Sequence, residues 1–382
     1  MKQMALGRRQ FSIGLGAAAL GGFHTARAQS EGRIVLGQSA ALTGLAAQLG
    51  GQLNLGAKLC FDQLNAQGGV GRRMIEIRSM DDGYEPDRCA ENTRKLIADD
   101  VFALFGYIGT PTSLAALPLF TQAKVPFFAP FSGAEALRQP FNRLIFHARA
   151  SYYDETALIV RQLTNLGLKK IGVFYQNDAY GKAGLDGVTK ALADLKLVPV
   201  ATATVERNST DVKAAVDKLV AAKPEAVVQI SAYAASAAFV RAARKAGYGG
   251  TFYNVSFVGT QALADELGKD GAGVVVSQVM PSPYQPSRQI TREFLEAIKK
   301  GGDKVQPNYS SMEGYVAARL FVEGLRQAHA SGKVTRESLI AGTESIGTQA
   351  ISGFAVALSA TNHAASKFVE MSMLTGDGRV RT

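Results

Sequence analysis

Short runs of β-branched and aromatic residues alternate with longer stretches whose apolar positions recur at helical spacing. The first runs cover residues 33–36, 74–77, 102–105 and 126–128, and a helix pattern follows each of them. The runs predict strands, and the stretches between them predict helices. Because strand and helix alternate regularly, we expect a parallel sheet with helices on both faces.

The same pattern then begins again further along the chain. Its strands are predicted at residues 170–174, 198–201, 226–230 and 251–253, with helices at 211–221 and 234–246 between them. The repetition predicts two similar, Rossmann-like lobes of the α/β class.

The last third of the chain is less repetitive. It predicts a strand at 273–277, helices at 287–300 and 309–330, and short strands at 353–358 and 368–374. No long Pro- or Ser-rich linker occurs, so we expect several close chain crossings between the lobes instead of a single tether. A hinge needs that arrangement.

The N-terminal residues predict export. The basic pair Arg8-Arg9 precedes an uncharged stretch, and Ala-Arg-Ala at 26–28 matches a small-x-small cleavage pattern. The paired arginines add a twin-arginine motif. A short buried helix or membrane anchor is the alternative, but the stretch is much shorter than the roughly 20 residues of a membrane span. We therefore predict a signal peptide over residues 1–28, cleaved near Ala28, and a periplasmic mature protein.

Length and charge narrow the class of protein. After cleavage about 354 residues remain, more than one hydrophobic core usually holds, so two domains are expected. The whole chain has 42 basic and 32 acidic side chains, and removal of Lys2, Arg8, Arg9 and Arg27 leaves a net charge of about +6. This charge is dispersed, and no basic run with interleaved aromatic residues occurs. Nucleic acid is therefore not an expected partner.

Cysteine and histidine usage points away from a metal. Cys60 and Cys89 are the two cysteines of the chain. An oxidising compartment allows them to pair, and two buried free thiols are the alternative. No Cys/His cluster has the spacing of a metal site, and we predict neither a metal nor a cofactor.

The chain carries no motif of an enzyme that we recognise. It lacks a G-x-S-x-G elbow, a G-x-x-x-x-G-K-[ST] phosphate loop and an H-E-x-x-H pair. His147 lies at a predicted crossing between the lobes and is expected to be structural. Asp81 and Asp82 follow the second strand, where a solvated or helix-capping role is expected. We predict that the protein is not an enzyme.

Ligands of open parallel sheets bind beyond the carboxyl ends of the strands, where helix N-termini present free N–H groups. The third strand is followed by 106–113, which contains Thr110, and the fourth by 130–135, which contains Ser132. Both loops carry glycines and hydroxyls and together form a candidate carboxylate site. Ser132-x-x-Glu135 also fits a capping box, which would satisfy a helix end without any ligand.

Two tyrosines occupy the matching positions in the second lobe. Tyr180 follows the strand at 170–174, and Tyr233 follows the strand at 226–230. A tyrosine ring covers an apolar ligand body and still offers a hydrogen bond, so both are candidates for a closing cleft. Packing in the core is the alternative role.

Four segments then occur in a family-specific order. They are Gly-Gln-Ser-Ala-Ala-Leu-Thr-Gly at 37–44, Asn-Ala-Gln-Gly-Gly-Val-Gly-Arg at 65–72, the Asp81-Asp82 pair, and Tyr180-Gly181. With them the chain resembles type I periplasmic binding proteins of the leucine/isoleucine/valine-binding family, the receptor subunits of branched-chain amino-acid ABC transporters. The likeness covers nearly all of the mature chain.

The resemblance implies a Venus-flytrap architecture with three hinge crossings, here near 148–151, 277–281 and 360–368. It divides the chain into a first lobe of residues 29–148 plus 280–362 and a second lobe of residues 149–279 plus 363–382.

The resemblance also implies which residues hold a ligand. Thr110 and the Ser132-Gly133 pair fall where the family's first lobe holds the ligand carboxylate. The family hydroxyl aligns on Gly133, whereas the hydroxyl of this chain belongs to Ser132. The family's aromatic contacts of the second lobe fall on Tyr180 and Tyr233.

This chain departs from the family pattern at three places. The loop that supplies an acid for the ligand ammonium reads Asn-Val-Ser-Phe at 254–257, with Ser256 and no carboxylate. A lid aromatic of the first lobe is replaced by Leu49, and the family's cysteine pair is replaced by Tyr84 and Gly109.

The missing acid bears on the class of ligand, since a buried ammonium is costly unless it is paired. Phe131, Tyr180, Tyr233 and Phe257 could surround an apolar body. We therefore hypothesise a carboxylate with a planar or aliphatic tail and no obligatory α-ammonium. An ordinary amino acid is the close alternative, with Asp178 or Asp82 supplying the charge.

We expect a binding protein that delivers an amino acid or related small carboxylate to the permease of an ABC transporter, and that meets the membrane only through the permease. The alternative is a sensory protein of the same fold that feeds a chemoreceptor or kinase. A repressor of related topology would need a DNA-binding helix pair where the signal peptide stands.

Overall fold

The computed structural model describes residues 32–301 and 305–382. The predicted signal peptide and its twin-arginine motif lie outside the described residues. Within the described ranges, no helix combines the length and the apolar character that crossing a membrane requires.

The first sheet has five strands, all parallel. They are β1 Arg33–Ala40, β2 Met74–Asp81, β3 Ala103–Phe105, β4 Phe127–Phe128 and β5 Ile145–Phe146, in the spatial order β2-β1-β3-β4-β5. Helices α1 Ala47–Asn65, α2 Pro86–Ala98 and α3 Thr110–Ala123 join the first four strands. β3 and β4 are buried throughout, which explains why they read as continuous apolar runs.

The second sheet has seven strands. They are β6 Ile171–Gln176, β7 Ala201–Val205, β8 Ala226–Ile230, β9 Thr251–Asn254 and β10 Val275–Gln278, followed after a hairpin of β11 Thr348–Ile351 and β12 Phe354–Ala357 by β13 Glu370–Leu374 and β14 Val380–Arg381. The spatial order is β14-β13-β10-β9-β8-β6-β7.

Eight further helices complete the lobes. They are α4 Tyr152–Asn165, α5 Ala179–Ala193, α6 Lys213–Ala221, α7 Tyr233–Lys245, α8 Thr260–Leu267, α9 Gln289–Gly301, α10 Tyr309–Ala330 and α11 Arg336–Glu344. Helix α10 packs on α1 so closely that a Cβ on Gly56 would collide with the carbonyl oxygen of Ser311, and one on Gly314 with that of Leu53. Helix α10 is thereby fixed to the first lobe.

The second sheet is parallel from β10 to β7, as predicted, and carries two further antiparallel strands at its edge. β13 pairs with β10 in antiparallel fashion, and β14 pairs with β13 in the same way, because the chain re-enters this lobe at its edge after the last crossing. The strand predicted at 198–201 begins at Ala201 instead. Val198 is 72% exposed and precedes Pro199, which cannot donate to a ladder.

The chain passes between the two sheets three times, after β5, after β10 and before β13. The first and last crossings run side by side, since the N–H of His147 donates to the His363 carbonyl at 2.8 Å and the N–H of Ala365 to the His147 carbonyl at 2.8 Å. The predicted two-lobed α/β fold with three hinge crossings is confirmed. The residue boundaries of the lobes stay a prediction.

His147 and the two cysteines have structural surroundings. The His147 ring is buried, Nε2 lies 3.2 Å from the Leu137 carbonyl, and burial holds the pKa of the ring well below its usual value. Cys60 and Cys89 are free, buried thiols, each in a different hydrophobic cluster. Burial raises the pKa of Cys60 to about 12. Neither thiol is therefore reactive at neutral pH.

Candidate ligand-binding site between the lobes

The two predicted hydroxyls of the first lobe lie together at the carboxyl ends of β3 and β4. Thr110 is the first residue of α3, and its Oγ1 lies 2.8 Å from Oγ of Ser132. Both side chains are buried. Gly109 caps the helix with φ of +95°, a conformation that favours glycine. The positive end of the α3 dipole therefore points at the hydroxyl pair.

The capping-box interpretation of Ser132 is wrong. A 3-10 turn spans Glu135–Leu137, and the residue that caps it is Ala134, not Ser132. Ser132 Oγ instead accepts from the N–H of Ala134 at 3.2 Å and pairs with Thr110.

Gly133 has no room for a side chain. A Cβ there would lie 2.7 Å from the backbone nitrogen of Tyr152, whose N–H donates to the Gly133 carbonyl at 2.8 Å. The loop hydroxyl is therefore that of Ser132, and Gly133 provides the close contact between this loop and the start of α4.

Aromatic rings of both lobes meet around Phe257. Its ring centroid lies 4.4 Å from that of Tyr180, 5.5 Å from that of Phe131 and 5.9 Å from that of Tyr84. Tyr180 also lies 5.4 Å from Tyr152. Phe131 and Tyr84 belong to the first lobe and the other three to the second, so this aromatic cluster spans the cleft.

Tyr84 takes the place that the resemblance assigns to a cysteine. Its ring covers Gly109, where any Cβ would collide with it. The hydroxyl of Tyr84 accepts from Nε2 of Gln176 across the cleft at 3.2 Å. Tyr84 therefore forms a contact between lobes at a position where the resemblance implies half of a bridge within one lobe.

Tyr233 is not part of the aromatic cluster. It begins α7, is 6% exposed, and its hydroxyl faces the backbone of Gln48 at the start of α1. Within residues 32–301 and 305–382, no ring contact joins it to the other aromatic residues of the cleft.

Ser256 stands in front of a buried carboxylate that the sequence reasoning missed. Glu155 of α4 accepts from the N–H of Ser256 at 2.7 Å, from its hydroxyl at 3.0 Å, and from the hydroxyl of Ser277 at 2.6 Å. Both carboxylate oxygens are therefore occupied. Burial raises the pKa of Glu155, and its hydrogen bonds and Arg149 oppose that shift.

Arg149 is the other residue that sequence reasoning missed. It lies on the first crossing with its side chain fully buried, 3.6 Å from Glu155 and 3.6 Å from Glu313 of α10. Nη2 donates to Ser256, and the guanidinium carbon lies 4.8 Å from the centre of the Phe131 ring. Burial alone would lower the pKa of Arg149, but Glu313 and Glu155 raise it.

Glu313 completes this buried charge cluster. Burial raises its pKa to about 7, Arg149 opposes the shift, and Glu155 adds to it. Arg149 and Glu155 are the charged groups that face Glu313.

A signal for Arg149 did exist in the sequence, because a lone arginine between Ala148 and Ala150 stands at a predicted crossing.

The two aspartates proposed as alternative partners of an ammonium are engaged elsewhere. Asp82 accepts from Ser39 Oγ at 2.7 Å and from the N–H of Tyr84 at 2.8 Å, and burial raises its pKa to about 6. Asp178 caps α5 by accepting from the N–H of Tyr180 at 2.9 Å.

The lobes are in direct contact around the candidate site. Beside Phe131, Ser256 and Glu313 the cleft holds a cavity of about 10 Å³, room for about one water molecule. A pocket of about 280 Å³ opens at the mouth of the cleft, where Leu49 packs against Gly259 of the second lobe. An occupant larger than water therefore requires the lobes to move apart.

Comparison with known proteins identifies the family. The model of a family described as periplasmic binding protein matches residues 33–378. The chain belongs to this family. Leu/Ile/Val-binding protein homolog 7 of Brucella abortus (strain 2308) is 25% identical over 338 residues, which cover 82% of this chain and 82% of that protein.

Two solved structures share the fold of this periplasmic binding protein. A possible leucine/isoleucine/valine-binding protein from Rhodopirellula baltica SH 1 is 32% identical with a TM-score of 0.87, covering 90% of this chain and 95% of that one. A substrate-binding periplasmic protein from Ralstonia solanacearum is 30% identical with a TM-score of 0.84, covering 91% and 99%.

These comparisons confirm the resemblance and the fold. The chain is a type I periplasmic binding protein, of the type to which Leu/Ile/Val-binding proteins belong, and the family implies a periplasmic location. Its relatives are solute-binding proteins and not enzymes, as the sequence predicts.

Proposed function

We propose that this protein is the receptor of an ABC transporter, which closes two lobes around an amino acid or related small carboxylate and delivers it to the permease. It reaches the periplasm through a twin-arginine signal peptide cleaved near Ala28. It contacts the membrane only through the permease.

One observation carries this proposal: both lobes present ligand-type groups to the same cleft. The first lobe contributes the Thr110–Ser132 hydroxyl pair at the positive end of α3. The second contributes Tyr180, whose buried hydroxyl has no hydrogen-bond partner in the described parts of the chain. Hydroxyls and a helix N-terminus suit a carboxylate, and the rings around Phe257 suit an apolar tail.

The relatives support the kind of ligand. The Brucella abortus and Rhodopirellula baltica proteins are named for leucine, isoleucine and valine, which carry a carboxylate and an apolar body. Closure around the ligand then requires only that the ligand bind the closed lobes better than the open ones.

A ligand screen tests the proposal. Protein beginning at Gln29 is heated with each of a set of amino acids and small carboxylates. A ligand at a hundredfold its Kd stabilises the fold by about 2.7 kcal/mol, which raises the melting temperature by several degrees. Small-angle scattering with that ligand should give a smaller radius of gyration. If no member of either class stabilises the protein, the proposal is wrong.

A further inference from the structure

Several buried polar atoms around the aromatic cluster lack partners. Within residues 32–301 and 305–382, Nη1 of Arg149 and the hydroxyls of Tyr152 and Tyr180 make no hydrogen bond. All three side chains are fully buried. The Tyr152 hydroxyl faces Ser132 and Gly133, so these atoms adjoin the hydroxyl pair of the first lobe.

The chemistry of these atoms specifies what would satisfy them. The guanidinium offers only donors, and burial keeps both tyrosines in the protonated state, in which each can donate. The guanidinium carbon lies 5.9 Å from the centre of the Tyr152 ring, and the Tyr152 and Tyr180 rings lie 5.4 Å apart, so the three groups are neighbours. The guanidinium cannot accept, so it needs a group that offers acceptors. A carboxylate has two oxygens and accepts about four hydrogen bonds, whereas an ammonium has no acceptor at all.

The two acids beside Arg149 do not replace such a group. Glu155 accepts three hydrogen bonds from Ser256 and Ser277 and lies 3.6 Å from Nη2 of Arg149, beyond hydrogen-bond distance. The carboxylate of Glu313 lies 3.6 Å from Nε of Arg149, which is too far for a hydrogen bond. Nη1 of Arg149 has no acceptor within the described residues.

We infer that Arg149 binds the carboxylate of the ligand from the hinge, together with the hydroxyls of Tyr152 and Tyr180, and that the cleft selects carboxylic acids over the corresponding α-amino acids. The selection arises because a buried ammonium needs a carboxylate partner, and Glu155, Asp82 and Asp178 are already held by other groups of the protein. Glu155 and Glu313 are positioning residues, since each lies 3.6 Å from the guanidinium. This inference rests on the proposed function and adds the anion-binding residue and the ligand class to it.

A proton should accompany the ligand. Arg149 already neutralises one of two buried carboxylates, and a third one brought by the ligand leaves excess negative charge in a site that excludes water. Glu313 is the acid able to take up a proton, because burial and Glu155 raise its pKa to about 7. Below about pH 7 Glu313 is already protonated. Well above that pH the proton must be taken up when the ligand binds, which weakens binding.

Calorimetry with matched probes tests the selection. The probes are 4-methylpentanoate against leucine and 3-phenylpropanoate against phenylalanine, each pair differing in the α-ammonium alone. We expect the acid of at least one pair to bind tenfold or more tightly than its amino acid. Titration at pH 7.5 in phosphate and in Tris should also show proton uptake, and Glu313→Gln should abolish it.

Variants test the residues. Arg149→Lys keeps the charge beside both acids but loses the planar donor set, and Tyr180→Phe removes one donor without changing charge. Each should weaken binding of the acid probe about tenfold or more. Arg319→Lys and Tyr248→Phe are matched controls away from the cleft, and both should bind as the wild type does.

The outcomes separate the inference from the proposed function. Leucine or phenylalanine binding tightly, with its acid binding weakly, overturns the inference and leaves the receptor function intact. Acid binding that survives Arg149→Lys and Tyr180→Phe also overturns it. Failure of every amino acid and acid in the screen overturns both.

Discussion

A small group of contacts outside the aromatic cluster holds the lobes together, and it offers a direct test of closure. Glu85 of the first lobe accepts from Nη2 of Arg207 at 2.8 Å and from Nδ2 of Asn208 at 2.7 Å, and Asn208 also donates to the Gly83 carbonyl at 3.0 Å. We call these four residues the latch. Arg207 and Asn208 belong to the second lobe, so the latch exists only when the lobes meet.

The size of its contribution follows from its exposure. The side chains of Arg207 and Glu85 are 24% and 42% exposed, so the ion pair is worth at most about 1 kcal/mol, and the Asn208 bond adds a few tenths. Glu85→Ala removes both the ion pair with Arg207 and the hydrogen bond from Asn208. Glu85 precedes α2 but makes no capping bond with its side chain, so the loss is confined to the latch. About 1 kcal/mol corresponds to roughly a fivefold change in the closed-to-open ratio.

Because the ligand binds the closed state, apparent affinity should fall in Glu85→Ala, by up to a factor of about five where the open state predominates without ligand. Calorimetry with the best compound of the ligand screen measures it. Glu91→Ala is the matched control, since Glu91 pairs with Lys95 at 2.6 Å within α2 and touches one lobe only. Equal affinities for the two variants, or a lowered melting temperature with unchanged affinity in Glu85→Ala, would refute the reasoning.

Three further predictions concern the carboxylate loop, the buried acid and export. Ser132→Ala should weaken ligand binding about tenfold by calorimetry, since a hydrogen bond to a charged group is worth roughly 1.5–3 kcal/mol, and unchanged affinity would contradict its role. Glu313 has a pKa of about 7 against an ordinary 4.5, so its stabilisation is full below about pH 4.5 and is lost as the pH rises through 7, a change on the order of 3 kcal/mol. Glu313→Gln should therefore flatten the plot of melting temperature against pH between about pH 4.5 and 7. An unaltered slope would contradict the raised pKa of Glu313. Replacing Arg8 and Arg9 with lysine should abolish export, as immunoblots of the periplasmic fraction will show, and normal export would disprove the twin-arginine route.

Strands could be predicted from the sequence where a run of β-branched or aromatic residues marks them. β8 is apolar apart from Gln229 and buried along its whole length, so its run of β-branched residues is unmistakable. β5 and β14 were missed because two residues carry no periodicity. The prediction of a strand at 198–201 was wrong because exposed valines that lie outside a strand produce the same sequence pattern as a strand.

The candidate site likewise contains residues that could be predicted from the sequence and residues that could not. Thr110, Ser132 and Tyr180 could be predicted because the carboxyl ends of parallel strands always meet at one edge of a sheet. Arg149 stands out in the sequence only as a lone arginine at a predicted crossing, and its role could not be predicted because that role depends on Ser256 and Glu313, each more than a hundred residues away in the chain. Tertiary pairing of that range leaves no periodic pattern in a single sequence.

The position of Arg149 also explains how an anion could drive closure. Glu155 is bound by serines of the second lobe, whereas Glu313 moves with the first lobe because α10 is locked to α1. Opening the lobes must therefore separate Arg149 from one of its two acids and admit water to the guanidinium. Water satisfies Nη1 in the open state, but nothing in the described protein satisfies it in the closed state. A ligand carboxylate that fills this position relieves a cost that only the closed state bears, so its binding energy favours closure.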